Sequence, residues 1–144
     1  MRSTTELSTL TLSPESQYVA GVVLLTIVTI EFGGWFVSRI VRGDVPMTDF
    51  QQAFSRAMHG HAGVLVTLSL VCLVLADAAA LSGVFGWVGR LGVPVAAVLM
   101  PLGFYLSSAG RDVTRPNSMI AVVWIGALVL ALGVVTLGVG LLLA

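Results

Sequence analysis

The chain has 144 residues, of which 57% are hydrophobic and 10% are charged, whereas an ordinary soluble domain has roughly 25% charged residues. With a mean hydropathy of +1.02, this composition excludes a soluble globular protein and indicates that lipid is the main solvent. The formal net charge is zero and the seven basic residues are all Arg, so we predict no nucleic-acid partner.

The N-terminal segment is polar and rich in Ser and Thr. We predict that residues 1–17 form a tail and that residues 18–144 form one transmembrane domain, since a chain of this length has room for one domain. At the end of the tail, Ser13 suits a helix N-cap and Pro14 suits the first helical position. These two residues predict that the first helix begins here.

The first two apolar stretches are each long enough for a span of about 20 residues. The first stretch covers residues 18–40. The second covers residues 58–80 and continues a helix that Thr48 or Asp49 can cap before it enters the bilayer core. Both stretches therefore predict transmembrane helices.

Two further apolar stretches complete the chain. The third covers residues 91–110 and contains Pro94 and Pro101, which imply a kink unless Pro94 lies in the first turn. The fourth begins at residue 117 or 120 and continues to residue 144. The sequence therefore predicts an all-α fold, a four-helix transmembrane bundle in contact with the lipid bilayer.

The Arg residues are unevenly distributed over the links between these spans. The first and third links hold Arg39, Arg42, Arg56, Arg111 and Arg115, whereas the tail and the second link hold Arg2 and Arg90. Cytoplasmic loops of membrane proteins carry an excess of Arg and Lys. We therefore predict a bacterial cytoplasmic-membrane protein whose first and third links are cytoplasmic and whose two termini are external.

Glu31 is an acidic residue inside the first span. It precedes Arg39 by eight residues, which places it roughly 12 Å deeper at a helical rise of 1.5 Å per residue. Acidic residues at such depth usually face the bundle interior and mark proton or ion paths. We expect the second span or a symmetry-related copy to shield Glu31 from lipid, in either a structural or a working role.

Both histidines of the chain, His59 and His61, lie at the start of the second span. They are two positions apart, about 200° around a regular helix, so they cannot point at one metal ion unless the helix breaks. His59 shares a stripe with Arg56 and Asp77, so we expect it to face inward, to meet a close neighbouring helix and to be the more buried histidine. The open alternatives are interfacial hydrogen bonding, ligation of heme or a metal, and a proton relay with Glu31.

Small residues in the second and fourth spans predict close helix packing. They are Gly60, Ala62, Gly63, Gly126, Gly133, Gly138 and Gly140. The single cysteine, Cys72, lies in the middle of a span, and we predict that it packs in the core. Further polar residues predict that any site lies in the cytoplasmic half: Ser38, Tyr105, Ser107, Ser108, Arg111 and Asn117.

Residues 54–65 read Phe-Ser-Arg-Ala-Met-His-Gly-His-Ala-Gly-Val-Leu. This segment resembles the Arg-Ala-x-His-x-His opening of a span in a family of small four-helix bacterial integral membrane proteins of uncharacterised function. Some of those proteins are distantly similar to the heme-ligating helices of heme-copper oxidase subunit I. The resemblance implies that His59 or His61 ligates heme. The other axial ligand would be Met, water or a histidine of a second protomer, because the other spans contain no histidine.

Three functional hypotheses follow. The first is a non-enzymatic accessory or oligomer-forming subunit of a membrane complex, because a bundle this small has little interior of its own. The second is a proton- or cation-coupled small transporter, similar in mechanism to small multidrug-resistance transporters, in which His59 and Arg56 tune proton exchange at Glu31. The third is a redox subunit that binds heme or a metal through His59 or His61. A membrane enzyme ranks last, because the sequence contains no paired nucleophile and base.

Overall fold

The computed structural model describes residues 11–144, and within that range the protein consists of four α-helices and no strand. The helices are α1 (Pro14–Val41), α2 (Asp49–Ala78), α3 (Gly83–Ser108) and α4 (Ile120–Leu143). Each is long and apolar enough to cross a membrane, which confirms the predicted four-helix transmembrane bundle. Most of the predicted polar tail, residues 1–10, lies outside the described residues.

Helices α1 and α2 begin where their capping residues predict. Ser13 accepts a hydrogen bond from the Ser16 N–H at 3.2 Å, and Pro14 occupies the first helical position. Thr48 forms a capping box, in which its hydroxyl accepts from the Gln51 N–H and the Gln51 side chain accepts from the Thr48 N–H. Short polar motifs therefore set the starts of both helices.

Helix α3 begins earlier than predicted, so the predicted second link through Arg90 is wrong. The helix starts at Gly83, and both Pro94 and Pro101 lie inside it, beyond the first turn. The glycines and the charge of this region are typical of a link. The structure keeps them in a helix because Arg90 has an acidic partner within the protein, described below.

The helices pack in chain order: α1 contacts chiefly α2, α2 contacts α3, and α3 contacts α4. The core lies among the last three helices and contains Leu65, Cys72, Ala76, Val93, Met100, Val123 and Leu137. The predicted core position of Cys72 is confirmed. Helix α1 has only three buried residues, Ser16, Val23 and Ile40, so it is the peripheral helix of the bundle.

Glycines bring α3 and α4 into direct backbone contact. A Cβ atom added to Gly92 would lie 2.5 Å from the Cα atom of Gly133, and one added to Gly126 would lie 2.7 Å from a side chain of α3. The predicted packing role is confirmed for Gly126 and Gly133, and also for Gly140, which contacts the link before α3. The predicted packing role is wrong, within the described residues of one chain, for three glycines at which an added Cβ atom would meet nothing within 4 Å. These are Gly60, Gly63 and Gly138.

Candidate functional site

The candidate polar residues fall into two separate regions of the bundle. Helix α2 runs from the Arg-rich end, which holds links 42–48 and 109–119, to the tail end, where α1 and α3 begin. His59 and Asp77 are 18 residues apart on α2, about 27 Å at 1.5 Å per residue. The structure therefore does not bring Asp77 together with the other four candidates.

The imidazole of His59 lies against a notch in α1 that Gly33 and Gly34 form. A Cβ atom on Gly34 would lie 3.0 Å from Cε1 and 3.2 Å from Nε2 of His59, and one on Gly33 would lie 3.6 Å from Nδ1. The expectation that His59 meets a close neighbouring helix is confirmed. The glycines that make room for it are on α1, however, whereas Gly60 and Gly63 beside it face open space.

His61 points to the other side of α2, towards α3. Its Nδ1 atom lies 2.8 Å from the carbonyl oxygen of Ala57, and its ring centroid lies 5.0 Å from that of Phe104. Because α2 is a regular helix through both histidines, the two side chains diverge as their spacing predicts. A heme iron or metal ion held by both histidines of one chain does not fit this geometry. Within residues 11–144, no three His, Cys, Asp or Glu side chains are grouped as metal ligands.

Glu31 lies on the exposed side of α1. Gly33 and Gly34 contact His59 of α2, and Glu31, three residues before Gly34, lies about 60° around the helix from it, at the edge of the contact, where its side chain is exposed. Among residues 11–144, no hydrogen bond or ion pair engages the Glu31 carboxylate. The expectation that the second span shields Glu31 is therefore wrong within one chain, whereas shielding by a symmetry-related copy stays a prediction. Arg56, one turn before His59, is exposed too.

The most extensive polar contact joins α1, α2 and α3 at the tail end. Arg90 Nη2 donates to Asp77 Oδ1 at 2.7 Å, and the two side chains are only 12% and 14% exposed. The Ser13 N–H donates to Asp77 Oδ2 at 2.8 Å, and the Ser16 hydroxyl donates to Oδ1 at 3.0 Å. Arg90 Nε also donates to the Ser16 hydroxyl oxygen at 3.1 Å. We call these four residues the clasp.

Arg90 also closes the turn that precedes α3. Its Nη1 atom donates to the carbonyl oxygen of Leu81 at 3.1 Å, and a Cβ atom on Gly86 would lie 2.8 Å from Nη1. Gly86 therefore leaves the space through which the guanidinium reaches the turn. This arrangement was not predicted from the sequence, in which Asp77 shares a helical stripe with His59 and Arg90 lies in a predicted link. The signal was an acidic residue at the end of one span and a basic residue near the start of the next.

Polar side chains at the Arg-rich end hold the first and third links together. Gln51 Nε2 donates to the carbonyl oxygens of Ser108 and Gly110, each at 3.0 Å, and the Thr48 hydroxyl donates to that of Val113. Four of the residues predicted to mark a site here also donate to main-chain carbonyls: Ser38, Ser107, Ser108 and Asn117. In the described part of the chain, these side chains therefore act in local structure.

An apolar groove of about 640 Å³ lies between α1 and α3, with Ala62 and Val66 of α2 among its lining residues. Its two threonines, Thr26 and Thr29, donate their hydroxyl protons to carbonyls of their own helix, each at 2.6 Å. The groove consequently presents a mostly apolar surface, of the kind that lipid chains cover.

The described residues offer packing surfaces and one unpaired carboxylate inside a span. Every buried side-chain nitrogen or oxygen in residues 11–144 has a hydrogen-bond partner, so the clasp and the link contacts are complete in themselves. The exposed Glu31 carboxylate is an acidic group within α1 that this part of the chain leaves available to an outside partner. Comparisons with protein-family models, curated proteins and solved structures found no match for the chain.

Proposed function

We propose that the protein is a non-enzymatic subunit of an assembly in the bacterial cytoplasmic membrane, formed by its own copies or with other chains. The observation that carries this proposal is the exposed Glu31 carboxylate within α1. A carboxyl group that faces hydrocarbon without a hydrogen-bond partner is unfavourable by several kcal/mol. Contact with another protein chain removes that penalty.

The peripheral position of α1 supports the same proposal. Of the most apolar part of this helix, only 11% of the residues are buried in the chain. Its outer side also carries large aromatic groups next to Glu31, namely Phe32 at 67% and Trp35 at 51% exposure. Aromatic residues are enriched in protein interfaces as well as at membrane surfaces. Helix α1 therefore has a surface suited to a partner helix.

The orientation in the membrane is part of this proposal and rests on the Arg distribution. The links that contain Arg42 and Arg111 are cytoplasmic, and both termini are external. The clasp, at the tail end, then lies near the external surface. A cysteine placed at Asp112, in a chain with Cys72→Ala, is expected to react with a membrane-impermeant reagent only after the cytoplasmic side is opened.

Native mass spectrometry of protein released from membranes in mild detergent tests the assembly. We expect a species heavier than the 15.0 kDa chain. Glu31→Leu should reduce the assembled fraction, whereas Glu31→Gln, which can still form hydrogen bonds, should retain it. Glu15→Leu is the matched control, because Glu15 is also exposed on α1 but lies in its first turn. A wild-type protein found only as a 15.0 kDa species, or an unchanged Glu31→Leu assembly, would contradict the proposal.

Proton- or cation-coupled transport is a second candidate that the same carboxylate favours. Glu31 lies one turn or less from Gly34, the residue that contacts the His59 imidazole, so two protonatable groups occupy one level of the membrane. Purified protein in vesicles with an imposed pH gradient tests this role. We expect Glu31→Gln to abolish a proton-coupled flux while the assembly persists, and a flux that survives this change would exclude Glu31 as its carrier.

A further inference from the structure

We propose that the partner of each chain is a second copy, related by a two-fold axis along the membrane normal. The two copies meet through the outer side of the α1–α2 pair, and Glu31 of one copy lies against His59 of the partner subunit. This inference rests on the proposed function, since it names the partner in the assembly. The partner copy completes the hydrogen bonding of a carboxylate that has no hydrogen-bond partner within residues 11–144.

Glu31 and His59 belong to the same side of the bundle. Thr29 of α1 and Ala62 of α2 line the groove towards α3. Glu31 is about 200° around α1 from Thr29, so it lies on the flank away from α3. His59 lines a separate depression on α2 together with Gly60 and Gly63, none of which lines the groove. Because α1 and α2 are in contact, these two flanks form one continuous outer surface.

The depths of these groups in the membrane also match. Gly34 of α1 contacts His59 of α2, and the two helices are antiparallel. Glu31, three residues before Gly34, is therefore about 4.5 Å deeper, at the level of Ala62 on α2. A two-fold axis along the membrane normal keeps every residue at its own depth. The Glu31 side chain can then reach the partner's His59 imidazole.

The outer surface has room for a helix at this level. A depression of about 560 Å³ on α2 is lined by His59, Gly60, Gly63, Val64, Thr67, Leu68 and Val71. Gly63 and Thr67 are four residues apart, which is the spacing at which small residues let membrane helices approach. The space beside the glycines of the α3–α4 contact is filled by the facing helix. In contrast, an added Cβ on Gly60 or Gly63 would meet nothing within 4 Å. This surface allows close approach of another helix, and no helix of the described residues covers it.

The charges on this surface favour a second copy over an unrelated chain. A two-fold interface places the same surface on both sides, so it must complement itself. The outer side carries the acidic Glu31 together with the basic Arg56 and the imidazole of His59, and both charged residues are exposed. A surface that contains both members of a polar pair can satisfy both copies at once, which gives two equivalent Glu31 contacts.

Disulfide crosslinking in native membranes tests the pairing. In the Cys72→Ala background, Gly60→Cys is expected to form a covalent dimer on mild oxidation, because the two Gly60 positions face each other near the axis. Gly138→Cys is the matched control, since Gly138 is likewise a span glycine with nothing within 4 Å, but it lies on α4. It should remain monomeric under the same oxidation. Equal crosslinking of both variants would overturn the proposed surface.

A second measurement uses fluorescently labelled full-length protein diluted in lipid vesicles. Gly63→Leu places a side chain at a position where an added Cβ meets nothing within 4 Å in one chain, and it blocks the close approach of a second copy. We expect the dimer affinity to fall about tenfold, and Gly138→Leu to leave it unchanged. If the wild type assembles with other chains but Gly60→Cys forms no covalent dimer, the second copy is the wrong partner and the proposed function stands. If the wild type is monomeric throughout, both proposals fail.

Discussion

Removing either member of the Asp77–Arg90 pair is expected to destabilise the bundle strongly. Deleting one partner of a buried ion pair costs about 3–5 kcal/mol, because the other charge is left without compensation. Each side chain retains 12–14% exposure, so we expect the lower limit, about 3 kcal/mol, for Asp77→Ala or Arg90→Leu alone. The double substitution removes both charges together. It should also cost about 3 kcal/mol, not the sum of about 6, which gives a coupling of about 3 kcal/mol between the two positions.

Steric trapping in bilayer-like discs, which measures the free energy of unfolding, can supply the four values of this cycle. The exposed pair Arg39–Asp44 is the matched control, because its N–O distance is 3.9 Å and its side chains are 39% and 49% exposed. Its coupling should be below about 1 kcal/mol. If the Asp77 and Arg90 effects add to within about 0.5 kcal/mol, the two residues do not act as a unit and the reasoning is refuted.

Three further predictions address the helix contacts. Gly92→Val should force α3 away from α4 and destabilise the bundle by about 1–3 kcal/mol in the same unfolding assay, whereas Gly138→Val should stay within about 0.5 kcal/mol. Gln51→Leu removes one hydrogen bond to the last residue of α3 and one to the third link, and it should cost about 2 kcal/mol, with faster amide exchange in that link. His59→Ala should speed amide exchange in α1 more than His61→Ala, because only His59 contacts that helix; equal effects would contradict this assignment.

The elements of this fold that depend on local sequence could be predicted, and those that depend on helix pairing could not. Apolar length and the caps at Ser13 and Thr48 are local, and they predicted four helices and two of their starts. The start of α3 was misplaced because the partner of Arg90 lies on another helix, 13 residues away at Asp77. A lone charge near a span end therefore appears the same in sequence whether it meets water or a carboxylate.

The candidate site shows the same division. The spacing of His59 and His61 was enough to predict that they diverge, because helical geometry alone determines the angle between them. Which glycines would receive His59 depended on how α1 and α2 cross, and no local pattern contains that information. Glu31 was expected to turn towards α2 on the general rule for intramembrane carboxylates. The structure leaves it exposed, because the way α1 is rotated against α2 depends on the contact between the two helices, which no local pattern contains.

The clasp has a consequence for how the protein is made. Its members are far apart in the chain, since Arg90 follows Ser16 by 74 residues, so the contact forms only after three helices have been synthesised. Until then the Asp77 carboxylate lies at the end of α2 without its cation. Arrival of the third helix is the step that commits the nascent chain to its final arrangement.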